Sequence, residues 1–185
     1  MSRKKRLGIL MAMFLACLSV YRGLTLQQQS SAKQSSTEVG QYRVEHVVDG
    51  DTIEVRIDGR MQKIRLIGMD TPEVVDPRKT VQCFGREASA QAHRLLEGQV
   101  VRLEYDVQVG ERDKYNRLLG YVFLIDGTNY AEKMIREGYA HEYTYQGQAY
   151  KYQATYKAAE AEAEATGRGF WSSTTCSGDT KQPAR

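Results

Sequence analysis

An α+β fold, mainly β, is predicted for this chain: a five-stranded, partly closed OB-type β-barrel with about three packed α-helices. Three observations predict it. Short runs of period-two alternation follow one another from residue 42 with only tight turns between them, the period lengthens to that of a helix after residue 84, and two further helical stretches close the chain. A doubly wound parallel sheet is excluded, because three strands arrive with no helix between them to make the crossovers.

The elements follow in order. Residues 42–48 (YRVEHVV) alternate as a first strand, and Asp49-Gly50-Asp51-Thr52 supplies a hairpin turn. Ile53, Val55 and Ile57 then alternate with Glu54, Arg56 and Asp58; Asp58-Gly59 turns the chain again, and residues 61–69 (MQKIRLIGM) form a third strand. Asp70-Thr71-Pro72-Glu73 breaks that strand, and residues 74–82 have no period, so a loop is expected there. Ala88, Ala92, Leu95 and Leu96 recur at helical spacing, with Gly98 placed as a stop. Residues 100–107 and 118–125 are the fourth and fifth strands, joined by the polar loop 108–117. Asn129 can cap a short helix over 130–137, and a last helix is predicted over 149–166. Tyr150, Tyr152 and Tyr156 fall in that last stretch, where packing or solvent exposure is expected of them; His93 and Glu87 on the first helix are given packing or surface roles.

Four parts are expected: a leader (1–23), a flexible linker (24–40), a folded domain (41–173) and a C-terminal tail (174–185) that reads as a spacer. Residues 7–20 form an uncharged stretch behind a basic start, which has the length of a secretion signal and is short for a bilayer span. Export to the medium, periplasm or cell envelope is the reading, with an uncleaved membrane anchor as the alternative. The net charge of +3 comes from this leader. Five of the 26 basic residues and none of the 23 acidic ones lie in residues 1–23, so the rest carries 21 bases against 23 acids. A broad cationic surface that grips polyanions by counterion release is thereby excluded, and any phosphate chemistry must rest on a few placed cations. Cleavage would remove Cys17, leaving Cys83 and Cys176. A disulfide between them fits an oxidising compartment, and two free thiols fit the sequence as well.

Three motifs carry candidate chemistry: Asp49-Gly50-Asp51-Thr52, the run from Arg65 through Asp70-Thr71-Pro72-Glu73, and Asp113-Lys114-Tyr115-Asn116-Arg117. Each alone is an ordinary turn, strand exit or solvated loop. Together they place acids and arginines at strand ends of one small barrel. The three histidines (His46, His93, His141) are scattered, so no zinc-type cluster competes.

The ordered set VDGDT, IRL, DTPE, GREASA, DKYNR and GFW resembles the staphylococcal-nuclease-like (thermonuclease) family over residues 42–171. The resemblance implies a phosphodiesterase that cleaves DNA and RNA at the P–O5′ bond, leaves 3′-phosphates, shows little sequence preference and depends on calcium. It implies Asp51, Asp70 and the carbonyl of Thr71 as calcium ligands, and Arg65, Glu73 and Arg117 as catalytic residues. Lys114, Tyr115 and Tyr143 are the positions it implies for contact with the nucleotide. The chain departs from the family at Asn116, where glycine is common. A DNA or RNA substrate, a tether through residues 7–20 and a single working chain are the expected partners and state. A non-catalytic OB-type module that binds nucleic acid or protein is the alternative, although such modules usually lose one or more of these charged residues and here all are present.

Overall fold

The computed structural model describes residues 40–74 and 80–184, so the leader and nearly all of the linker read from the sequence lie outside the described residues. Seven strands and three α-helices are found among the described residues: β1 (Gly40–Asp49), β2 (Thr52–Ile57), β3 (Arg60–Leu66), β4 (Met69–Asp70), α1 (Gly85–Leu96), β5 (Val100–Glu104), β6 (Leu118–Leu124), α2 (Tyr130–Arg136), β7 (His141–Glu142) and α3 (Gln153–Ala165). Five of the strands close a barrel in the order β1-β2-β3-β6-β5, with β5 pairing back onto β1. All neighbours are antiparallel except β3 and β6, which run parallel. The predicted five-stranded OB-type barrel with three helices is the observed one, and the pairing of β5 with β1 closes it fully where partial closure is expected from the sequence.

Alternation explains the barrel's interior. Val44, Ile53, Val55, Ile64, Val101 and Leu103 are fully buried, and each such side chain contributes about 1.5–3 kcal/mol by leaving water. Ala88, Ala92 and Leu96 bury one face of α1, while Met134, Ile135, Tyr156 and Ala159 fill the space between α2, α3 and the barrel. The Asn129 side chain caps α2 by accepting from the Glu132 N–H (3.2 Å), and it also accepts from the Tyr156 hydroxyl (2.9 Å), which joins α2 to α3.

Three boundaries differ from expectation, each for a tertiary reason. The third strand ends at Leu66, because Gly68 turns the chain with φ +79° and the Tyr150 ring occupies the place of any side chain there: a Cβ would lie 2.5 Å from it. Met69–Asp70 is thereby redirected to pair with His141–Glu142. The fourth strand ends at Glu104. Beyond it, Asp106 accepts from the Tyr121 hydroxyl (2.7 Å) and from the Lys151 N–H (2.9 Å), which draws the chain off the ladder. The last helix begins at Gln153 instead of residue 149, since that hold on Lys151 keeps residues 150–152 against the barrel. Only Tyr156 of the three tyrosines is therefore helical; Tyr150 and Tyr156 are both buried, as packing residues should be.

Residues 174–184 are laid back on the domain instead of trailing as a spacer. Cys176 is bonded to Cys83, and the two cysteines form a small second core with Phe170, flanked by Phe84 and Trp171. The cause is long-range: the residues between these anchors are polar and carry no period that would announce packing.

Candidate active site

The turn between β1 and β2 is held from beneath. Tyr130, fully buried at the start of α2, donates its hydroxyl to the Gly50 carbonyl (2.8 Å). Gly50 itself has no room for a side chain, because a Cβ would come within 2.5 Å of the Thr71 side chain. This close approach brings the β1–β2 turn against the exit of β4. Asp51, only 7% exposed, accepts there from the Thr52 hydroxyl (2.9 Å) and from the Thr71 N–H (3.2 Å).

Arg65 reaches the same point from β3, where its backbone lies opposite Thr52. Its guanidinium is 3.0 Å from Asp51 Oδ2 and 2.8 Å from Asp70 Oδ1, and it also donates to the Met69 carbonyl (2.9 Å). One cation thus bridges two carboxylates. A third, Asp49, accepts from the Asp51 N–H (3.1 Å). Burial first, and the charge of Asp51 second, push the Asp49 carboxyl up to about 7. The same two causes push Asp70 up, against the pull of Arg65 and His141; half of its side chain is open to solvent, and water offsets part of that rise. Negative charge is therefore in excess of the one guanidinium that serves it.

Arg117 enters from the loop before β6. Asp113 takes its Nε–H (2.7 Å) and its main-chain N–H (2.9 Å), and Asn116 at φ +65° makes the tight turn between them. Asparagine tolerates that left-handed conformation better than most residues, which accounts for its standing in for glycine. Burial raises the Asp113 carboxyl, but the hydrogen bonds from Arg117 and Tyr115 outweigh it and leave the group below its ordinary value. Glu73 follows β4; its Oε1 accepts from the Val74 N–H (3.0 Å) and its own N–H is taken by the Gln82 side chain (2.7 Å).

Asp51, Asp70, Thr71, Arg65, Glu73 and Arg117 all line one cavity of about 280 Å³. A second cavity of about 450 Å³ shares Arg65, Asp70 and Arg117 with it and is walled by Lys114, Tyr115 and Tyr143. The nine residues singled out from the sequence are thus gathered in two adjoining cavities. Tyr115 is 68% exposed at the rim, with the Lys114 ammonium 5.0 Å and the Arg117 guanidinium 5.4 Å from its ring centre. Tyr145 and Arg112 also line the second cavity, and the sequence motifs assign neither a role. Asp49 belongs to the VDGDT run as well, and neither the turn signal of its Asp-Gly pair nor the resemblance gives it a role of its own.

Among the described residues no group of three or more Asp, Glu, His or Cys side chains is arranged so that together they could hold a metal ion. The candidate set has a different make-up, with two carboxylates and a main-chain carbonyl. Its donors are all oxygen, and no imidazole or thiolate lines that cavity. Such a set suits a hard cation of the calcium type and does not suit zinc.

Residues 63–173 match the family described as staphylococcal nuclease homologue. The thermonuclease of Staphylococcus hyicus is 44% identical over 142 residues, covering 77% of this chain and 82% of that protein. The thermonuclease of Staphylococcus intermedius is 41% identical over 141 residues, covering 75% and 82%. Endonuclease YncB of Bacillus subtilis is 35% identical over 130 residues, covering 70% and 60%.

Proposed function

The chain belongs to the staphylococcal nuclease family and is a nuclease, and from that premise we propose that it is a calcium-dependent endonuclease of low sequence preference, acting on DNA and RNA at the P–O5′ bond to leave 3′-phosphates. The observation that carries this reading is the single cavity shared by Asp51, Asp70, Thr71, Arg65, Glu73 and Arg117. A phosphodiester resists attack because it is anionic, so a catalyst must neutralise its non-bridging oxygens and orient a water in line with the leaving oxygen.

Asp51, Asp70 and the Thr71 carbonyl would hold the calcium, and the excess of carboxylates around Arg65 favours a cation there. When bound, calcium supplies Lewis-acid stabilisation of a phosphate oxygen. A guanidinium is a planar fork that matches two phosphate oxygens, and its hold tightens as charge grows in the transition state. Arg65, which bonds Asp51 and Asp70, would turn to phosphate once those carboxylates hold calcium. Asp113 sets the orientation of Arg117 through Nε, which leaves both terminal nitrogens of that guanidinium for phosphate. Glu73 orients or deprotonates the attacking water. Lys114, Tyr115 and Tyr143 hold the nucleotide in the adjoining cavity, where an exposed ring offers stacking to any base and so gives little sequence preference.

Residues 1–23 are the motive for proposing export, and the Cys83–Cys176 bond suits an oxidising compartment. Among the described residues no helix is long and apolar enough to cross a membrane. Fractionation of producing cells checks this proposal, with activity expected outside the cytoplasm. For the reaction, a 5′-labelled single-stranded oligonucleotide is incubated with Ca²⁺ or with chelator, and the ends are analysed. Chelator-sensitive cleavage leaving 3′-phosphate is expected; cleavage that survives chelation, or 5′-phosphate ends, would contradict the reading.

A further inference from the structure

We infer that Gln82 is a positioning residue for Glu73, itself held in place by the C-terminal tail that the Cys83–Cys176 disulfide ties down; the inference rests on the reading of Glu73 given above. Glu73 and Gln82 are joined twice. The Glu73 N–H donates to the Gln82 side-chain Oε1 (2.7 Å), and the Gln82 N–H donates to the Glu73 carbonyl (2.9 Å). Gln82 also lines the 280 Å³ cavity beside Glu73. The loop is backed on another side by the start of α1, where a Cβ at Gly85 would lie 3.1 Å from the Glu73 carbonyl oxygen and 3.2 Å from that of Pro72.

The tail completes the brace. Gln82 pairs antiparallel with Pro183, the Cys83 N–H donates to the Gln182 carbonyl (2.8 Å), and the Ala184 N–H donates to the Val81 carbonyl (2.8 Å). Residues 182–184 are thus laid along residues 81–83 as a short extra strand, next to the disulfide that fixes both. This strip has its own internal order: the Gln182 side chain donates to the Cys176 and Asp179 carbonyls (2.8 Å each), and the buried Thr180 hydroxyl lies 3.2 Å from His141 Nε2. The carboxylate proposed to handle water sits at the exit of a two-residue strand, which by itself offers little stiffness. A displacement of about 1 Å at a reacting group can cost about a hundredfold in rate, so a brace on this loop acts directly on turnover.

The test compares Gln82→Met, which removes the acceptor at similar volume, with Gln82→Glu, which keeps an acceptor oxygen. With a single-stranded oligonucleotide at saturating Ca²⁺, Gln82→Met is expected to lower kcat about tenfold with KM within about twofold, and Gln82→Glu to retain most of kcat. Replacing both cysteines (Cys83→Ser with Cys176→Ser) is expected to lower kcat in the same sense by several-fold, again with little change in KM. In a Glu73→Ser background Gln82→Met should have no further effect, since no carboxylate remains to be positioned. An equal loss in both backgrounds, or wild-type kcat in Gln82→Met, overturns the inference and leaves the reading of Glu73 standing. Wild-type kcat in Glu73→Ser alone overturns that reading, and the inference with it.

Discussion

Arg65 serves two carboxylates and two main-chain carbonyls with one guanidinium, and this concentration of bonds makes it hard to replace. A lysine there keeps the charge but offers a point in place of a fork. Arg65→Lys is expected to lower kcat/KM by about two decades or more, and a rate near wild type in a steady-state assay would remove Arg65 from the chemistry. Glu73→Ser is expected to lower kcat by about two to four decades through the loss of acid–base or water-positioning help, measured at saturating substrate and Ca²⁺. At this scale the position of a residue was readable where it belongs to a long ordered motif set, as with Arg65, Glu73 and Arg117, which line one cavity; the roles of Arg65 and Glu73 are what these variants test. The place of Asp49 was not, since a turn signal does not report that this residue lines the same cavity as Asp51 and Asp70.

The elements that position these residues obey local rules at their starts and tertiary ones at their ends. The hairpin turns and the 3.6 period of α1 were legible because turn chemistry and periodicity are written within a dozen residues. The break at Gly68 was not, because it depends on Tyr150, more than eighty positions away, standing where a side chain would be. Gly68→Ala must accept φ +79° and collide with that ring. It is expected to cost about 2–3 kcal/mol in urea unfolding and to lower activity, because the turn delivers Asp70 to Arg65. Unchanged stability and activity would mean that β4 is placed by something else. Tyr130→Phe is a milder change: removing the hydroxyl from the Gly50 carbonyl is expected to cost about 1–3 kcal/mol in urea unfolding, and unchanged stability would mean that this turn is held by other contacts.

At the scale of the whole molecule, the disulfide and a set of buried carboxylates set the working conditions. Cys83 and Cys176 are separated by 93 positions, so removing their bond frees a long loop and is expected to cost about 4 kcal/mol, read from urea unfolding without reductant. Glu104 and Asp106 are raised by burial but lowered more by their hydrogen bonds to Lys151, Tyr152 and Tyr121, so both lie below their ordinary values of 4.5 and 3.8. A carboxyl that is depressed in the folded state contributes stability that is present above its ordinary value and lost as pH falls through the folded one. The contribution of these two groups is therefore expected to be whole down to about pH 4.5 and to be lost progressively below that. The double variant Glu104→Gln with Asp106→Asn should show a lower stability at neutral pH and a flatter acid limb; an unchanged limb would assign acid unfolding to other groups. The near-neutral charge outside the leader was readable from composition alone, while the packed tail was not, since only the distant partners of residues 174–184 reveal its order.

The central claim is that Asp51 and Asp70 together hold one hard cation at the cavity where Arg65, Arg117 and Glu73 meet. Titration of Ca²⁺ by calorimetry into the wild-type protein, Asp51→Asn and Asp70→Asn, each with a non-cleavable oligonucleotide present, addresses it most directly. One ion per wild-type chain and at least about tenfold weaker binding in each variant are predicted. Calcium affinity left unchanged by both substitutions would contradict it.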